Sequence, residues 1–375
     1  MQVLRKSRTL SYLALSLALL SGPLLAKVTP EPHNLTQMEV RAKIKDTFEH
    51  NLYSLPPRVQ GHYGIRMYRM TGETKYANAS LVDLITISDR LSFYACGSDD
   101  KDFIRTQSLK ELNKLKDMPG QRAQARYKAT TPHPDFMFYA DILLRYASRV
   151  DEFGFTGPCH DKIIAALKAK DLTPALTDKK MIKAWAAQLI NYAYWAEQLG
   201  VGSYVAQYKK AFIKAYPDSK DKKLSKSQFR NKIYGMTHFI FAASNYYQYP
   251  VDAKEFKWIL DYFDKNIDRI LKDATEDIVT EVGISFLLAG KPEHRVVGIT
   301  QDFVTKAFSP KHQMIPSPAG KRILSSGEHR NVLAMMLLDW PEKMHPGPFF
   351  YNIPSTRADI PMMVNPKKGT AQVKH

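Results

Sequence analysis

Six stretches of this sequence set titratable or amide side chains at or near the start of an apolar helical segment, and their types suit proton transfer. His62 and Tyr63 open the first, His133 and Asp135 the second, and Gln188 and Tyr192 lie within the third. Tyr234, Thr237 and His238 open the fourth, Asp277 and Glu281 the fifth, and His329, Arg330 and Asn331 the sixth. Polar groups are costly to bury unless satisfied, so their recurrence at similar offsets predicts one shared polar pocket. Histidine and tyrosine serve as general acids and bases, and His or Asn can neutralise a substrate carboxylate. We expect His238, Glu281, His329 and Tyr234 to carry the chemistry. His62, Tyr63, Asp135, Gln188, Tyr192, Asp277, Arg330 and Asn331 are expected to bind substrate.

Each residue also has a structural explanation. Asp135, Asp277 and Glu281 fall in first turns, where carboxylates favour a helix N-terminus whatever the function. His238, Glu281 and His329 stand out because they share an offset in three consecutive units. Glycoside hydrolysis needs two opposed carboxylates, about 5 to 9.5 Å apart. Asp277 and Glu281 sit one turn apart on one helix, so Glu281 opposite Asp135 is the more sensible pair. A metal-dependent hydrolase would gather His62, His238 and His329, but no HExxH or similar close-spaced set is present, and neither a metal nor a cofactor is expected.

What must position these groups is a helical hairpin repeated every 40 to 50 residues or so, a period typical of repeated supersecondary units. In "MIKAWAAQLINYAYWAEQLGVGSYVAQYKKAFIKAY" (181–216) an apolar helix ends at glycine and an amphipathic one follows. The first helix of each unit is apolar nearly all round, as in "FIFAASNYY", and should be buried on most sides. The second carries apolar residues at three- and four-residue steps (Phe256, Ile259, Leu260, Phe263, Ile267, Ile270, Leu271) and should keep one face in water. The buried helices are expected near 58–71, 135–149, 181–199, 233–248, 277–290 and 328–339. The pattern predicts an all-α fold, an α/α toroid of five or six hairpins forming an incomplete or closed ring. The stripe Met38, Val40, Ile44, Phe48 and Leu52 predicts a helix at 35–53 that completes the last hairpin. One toroid domain is expected over 27–345, with a long charged insertion at 91–131 and an irregular tail at 346–375.

The N-terminus has the order of a secretory signal peptide: basic Arg5, Lys6 and Arg8, an apolar Leu10 to Leu20, and a small-residue exit at Ala26. A periplasmic or secreted protein is expected, with no transmembrane segment in the mature chain. Removing residues 1–26 takes three basic residues from a net charge of +17 and leaves +14. So basic a chain suits an anionic polysaccharide or cell-envelope polymer, while "DSKDKKLSKSQFRNK" (218–232) reads as a solvated loop. No nucleic-acid-binding signature is present, and the oligomeric state is open.

The two cysteines, Cys96 and Cys159, are expected to pair in an oxidising compartment. The rival is a zinc site, because Cys159 precedes His160 and Cys96 precedes Gly97. That pattern is similar to the zinc ligands of lanthionine cyclases, themselves α/α toroids, but the flanking motif is absent and the order along the chain differs.

The segments "YGMTHFIFAASNYY", "TEVGISFLLAG" and "EHRNVLAMMLL" resemble an uncharacterised bacterial family carrying a domain of unknown function, over about residues 135–345. That resemblance implies no activity. The hairpin plan and its His/Tyr/Asn/Glu rim are also similar to α/α-toroid polysaccharide lyases and glycoside hydrolases. This second likeness implies a carbohydrate-active enzyme, although one fold hosts many functions. The alternative is a non-catalytic periplasmic protein that holds an anionic polymer or peptide, with Tyr63, Tyr192, Trp195, Tyr246 and Tyr247 as stacking platforms.

Overall fold

A computed structural model of the protein describes residues 31–352 and 365–366. The signal peptide expected at 1–26 lies outside the described residues. Among the described residues the fold is all-helical. Sheet is limited to an antiparallel pairing of β1 (Phe155–Thr156) with β2 (Asn365–Pro366).

The apolar stripe at the start of the chain forms α1 (Gln37–Asn51), opened by a capping box between Thr36 and Glu39. Then come α2 (Pro57–Thr71), α3 (Thr74–Ala95), α4 (Lys101–Asp117) and α5 (Gln121–Thr130). A π-helical segment, Met137–Leu144, runs directly into α6 (Arg145–Glu152). After β1 follow α7 (His160–Ala169), α8 (Thr173–Thr177), α9 (Lys179–Gln198) and α10 (Val205–Ala215). The remainder is α11 (Lys226–Ala243), α12 (Lys257–Lys265), α13 (Ile267–Asp273), α14 (Glu276–Leu288), α15 (Arg295–Lys306) and α16 (Leu324–Leu338).

The six stretches expected to be buried fall on α2, on the π-helix with α6, and on α9, α11, α14 and α16. Every residue of α14 is buried, as a helix apolar on all sides requires. Contacts among these helices follow a circuit. α2 packs on α3 and α16, α16 on α14, α14 on α11, and α11 on α9. In turn α9 packs on the π-helix and α6, which return to α3. The amphipathic helices lie against this set: α10 on α9, α12 and α15 on α14, and α13 on α11. α1 seats on α16 and α15.

Several segments depart from expectation. Residues 91–131 are no insertion loop, because they form the end of α3, then α4 and α5. Gln107, Ser108, Glu111, Leu112 and Leu115 make the buried face of α4. Its many charges occupy the other face, and they hid the helical period. The outer helix at 256–271 breaks at Asn266 into α12 and α13. Residues 218–232 are ordered rather than a solvated loop: Asp218–Lys223 is a 3-10 helix and Lys226 begins α11. Lys232 is buried, 2.7 Å from Asp218 and 2.8 Å from Asp221. The described part of the tail is anchored too. Arg69 Nε donates to the Gly347 carbonyl at 2.9 Å, and Phe350 stacks on Phe153.

Cys96 and Cys159 are bonded to each other, which ties the end of α3 to the start of α7.

Candidate functional site

The stretch Gly61-His62-Tyr63-Gly64 of α2 shows how the site is placed. A Cβ on Gly61 would lie 2.2 Å from Asp83 Cβ, and one on Gly64 2.7 Å from the Tyr76 carbonyl. Glycine at both positions therefore lets α3 press against this face of α2. Tyr63 turns toward α1, where it stacks on Phe48 and its hydroxyl reaches Glu49 at 3.4 Å. His62 meets α16 instead.

There the side chains form a line. Glu328 Oε2 lies 2.6 Å from His62 Nδ1. His62 Nε2 lies 3.4 Å from His329 Nδ1, with ring centroids 5.2 Å apart. His329 Nε2 stands 3.5 Å from Glu281 Oε1, and Thr237 donates its hydroxyl proton to Glu281 Oε2 at 2.7 Å. Four helices supply this line: α2, α16, α14 and α11. The side chains of His62 and His329 are 25% and 36% exposed, whereas those of Glu328 and Glu281 are 4% and 1% exposed. Two imidazoles that touch solvent are thus each backed by a buried carboxylate.

Beside this line lies a second cluster on α9 and α11. His238 Nδ1 is 3.1 Å from Asn191 Oδ1 and 3.4 Å from the Tyr246 hydroxyl, and Tyr234 meets its ring edge-on at 4.4 Å. His238 Nε2 is buried with no hydrogen-bond partner. Tyr246 belongs to a run of three left-handed residues after α11, Asn245 (φ 48), Tyr246 (φ 54) and Tyr247 (φ 73). Such conformations are unfavourable for side-chain-bearing residues and cluster at functional sites.

Burial governs the protonation of these groups. Desolvation pushes Glu328 up to about 8, against the pull of Arg66 and Arg58. It also raises Glu281, opposed by His329 and Thr237. Desolvation, reinforced by Arg66, His329, Arg58 and Arg149, holds His62 well below the usual imidazole value. Desolvation, then His329 and Arg66, brings His238 down to about 3. A carboxyl pushed up and imidazoles pushed down in one place is the separation that acid–base sites use.

The structure brings together His62, Tyr234, His238, Glu281 and His329, with Asp277 one turn before Glu281. Other expected substrate contacts have their polar atoms committed elsewhere. The Asn331 carboxamide receives Ile315 N at 2.7 Å and donates to the carbonyls of Ile315 and Gly327, so it anchors the chain before α16. Arg330 reaches the same Ile315 carbonyl. Gln188 accepts from Arg126 at 3.0 Å, and Tyr192 donates to Asp141 at 2.7 Å. Asp135 pairs with Lys170 at 2.5 Å, so nothing places it opposite Glu281 as a hydrolytic partner. Among the aromatic platforms, Tyr63, Tyr192 and Tyr247 are buried, whereas Trp195 and Tyr246 are half-buried and stack at 6.5 Å.

The residues missed by sequence reasoning are Glu328, Asn191, Arg58 and Arg66. Glu328 directly precedes His329 and could have been read from that adjacency. Tyr246 was expected only as a stacking platform, and its hydroxyl's approach to His238 depends on the left-handed turn. Among the described residues, no group of three or more His, Cys, Asp or Glu side chains is arranged to hold a metal. No helix among them is long and apolar enough to cross a membrane. A cleft of about 380 Å³ lies apart from this site, between Lys254, Lys257, Lys291 and His294.

Fold and site together define an all-helical protein with a line of two solvent-touching histidines, each backed by a buried carboxylate. The chain belongs to the family described as "Domain of unknown function (DUF3541)", which matches residues 37–367, a longer stretch than the motifs alone suggested. No curated protein and no solved structure matches it.

Proposed function

We propose that this chain is an exported carbohydrate-active enzyme with an α/α-toroid fold, which cleaves an anionic polysaccharide by acid–base chemistry of the lyase type. The circuit of buried helices, with amphipathic ones against it and α1 on α16, supports the toroid. One observation carries the reaction: the line Glu328, His62, His329, Glu281.

The protonation states that fit this line differ at its two ends. Glu328 is a neutral acid that supplies a proton to His62 Nδ1, leaving a hydrogen on Nε2. Glu281 is a carboxylate that would stabilise an imidazolium at His329. A sugar that takes the place of the 3.4 Å contact between His62 Nε2 and His329 Nδ1, from the side where both rings meet solvent, has an acid at one nitrogen and a base at the other. His329 takes the proton α to a uronate carboxylate, and that electron pair forms the new C=C bond. The glycosidic C–O bond breaks, and its oxygen receives the Nε2 proton of His62, which Glu328 replenishes at Nδ1. General acid–base steps of this kind contribute about 10²- to 10⁴-fold each. Arg66, Arg58 and Arg149 add positive charge that favours the anionic intermediate.

The test is a screen of uronate polymers, neutral polysaccharides and peptidoglycan fragments. Ultraviolet absorbance of an unsaturated uronate product marks elimination. Reducing ends without that absorbance mark hydrolysis and would replace the lyase mechanism. Tight binding without turnover would favour the non-catalytic alternative. Export is tested separately, by finding the mature protein in the periplasmic or culture fraction with its N-terminus near Lys27.

A further inference from the structure

Arg58, His62 and Arg66 follow one another at four-residue steps along α2, which places them on one face of the helix. Five guanidinium groups gather on α2 and α6, and three of them are answered by carboxylates. Arg69 pairs with Glu152 at 2.6 Å, Arg145 with Asp141 at 2.9 Å, and Arg149 with Asp83 at 2.8 Å and Glu152 at 3.2 Å. The carboxylates Asp83, Asp141 and Glu152 take three of the five cations. The fourth carboxyl nearby, Glu328, lies against His62 rather than a guanidinium, so two cations stay outside the ion pairs. Those two are Arg58 and Arg66.

Neither has an ionic partner. Arg58 makes no hydrogen bond or ion pair among the described residues. Arg66 is buried, its Nη1 donates to the His62 carbonyl at 3.3 Å, its side chain also bonds the Tyr247 hydroxyl, and its Nε has no partner. The Arg66 guanidinium lies 5.5 Å from the centre of the Tyr247 ring. A buried guanidinium with no carboxylate partner and a free Nε is costly, which argues for an anionic ligand that answers it.

The surroundings of Arg58 point the same way. Its side chain is exposed, yet burial is the main influence lowering its pKa. Its guanidinium is therefore open to a ligand from solvent, beside the other cations of α2 and α6. Arg58 also occupies the second position of α2, behind Pro56 and Pro57. A cation there opposes the positive end of the helix dipole and weakens the fold.

We propose that Arg58 and Arg66 form an anion-binding subsite beside His62, which takes the carboxylate or sulfate groups of an acidic glycan. It rests on the reading of this site as the ligand site and holds whether or not turnover follows. Guanidinium forks bind such oxyanions through paired, charge-assisted hydrogen bonds.

Calorimetric titration of the mature protein tests it with two pairs of probes. Oligogalacturonate is compared with its methyl ester, and oligosaccharides of dextran sulfate with those of dextran. The expected result is that at least one charged probe binds tenfold or more tighter than its neutral counterpart. Preference between the two charged probes separates carboxylate from sulfate recognition. Arg58→Gln should weaken that binding by about tenfold or more, the worth of a lost charge-assisted bond. Its melting temperature should stay level or rise, because the helix dipole is relieved. Arg66→Lys keeps the charge without the fork and should fall between wild type and Arg66→Gln. The subsite is overturned if no charged probe binds, if charged and neutral probes bind alike, or if Arg58→Gln binds as wild type does. Binding of this pattern without turnover counts against the lyase reaction and leaves the subsite standing.

Discussion

Replacing Glu328 by Gln should change how stability depends on pH, with a sign fixed by the direction of the shift. The carboxyl is buried and moves from an ordinary 4.5 to about 8, so the folded chain keeps its proton where the unfolded chain has lost it. Between pH 4.5 and 8 the native state therefore binds more protons than the unfolded state, and stability falls as pH rises. At about 1.4 kcal/mol per tenfold change, the fall from this one group has a ceiling of ~5 kcal/mol. Arg66 and Arg58 already act against the shift, and relaxation around an ionised Glu328 lowers the figure further. Glutamine keeps the shape and does not titrate. Urea unfolding of both proteins at several pH values between 5 and 9 gives the comparison. The difference, variant minus wild type, should grow in favour of Gln by about 2 to 5 kcal/mol as pH rises to 8, and then level off. His62 and His238 are shifted down and act oppositely, with their stability lost as pH falls below the ordinary imidazole value. His238 is common to both proteins and cancels, and His62, which touches Glu328, is kept out of the comparison by reading the slope above pH 6.5. Parallel stability curves would refute the neutral Glu328 and, with it, the acid end of the line.

Two further substitutions and one reduction separate structural from chemical roles. Asn331→Ala removes three buried hydrogen bonds, so its unfolding free energy should drop by about 3 kcal/mol, read by denaturant titration, with little change in specific activity. Reducing the Cys96–Cys159 bond, which closes a 63-residue separation, should lower stability by roughly 2 to 4 kcal/mol, and thiol titration of the denatured, non-reduced protein should find no free cysteine. Arg58→Gln should lose affinity for the charged oligosaccharide without losing melting temperature, as titration and a thermal scan on one preparation will show.

The backbone plan was legible because burial on all sides leaves a signature. Stretches such as Glu276–Leu288 must be apolar all round, and their spacing placed five of the six buried helices within about four residues of where they lie. The fourth, expected at 233–248, runs from Lys226 to Ala243 because its polar first turns carry no apolar signal. Charge misled where it coats one face, as in α4, whose buried Gln107, Glu111, Leu112 and Leu115 keep a helical period beneath it. For the site, helix offset identified His62, His238, Glu281 and His329, since a polar side chain in an apolar helix must find a partner. It could not separate a group aimed at the site from one that braces a loop. Asn331 lies two residues after His329, yet its carboxamide belongs to the turn at Ile315. Nor could it reveal Arg58 and Arg66 as the unanswered members of a charged cluster, because that depends on which carboxylates α3 and α6 bring close.

In the lyase reaction proposed above, the His62–His329 pair moves protons on an acidic polysaccharide. It is tested most directly by following unsaturated product from uronate polymers with wild type, His62→Ala and His329→Ala, while recording the melting temperature of each. The expected result is turnover by wild type and a loss of about 10²- to 10⁴-fold in each variant, with melting temperatures little changed. Turnover that survives both substitutions, or a wild-type protein that releases no product from any uronate polymer, would contradict it.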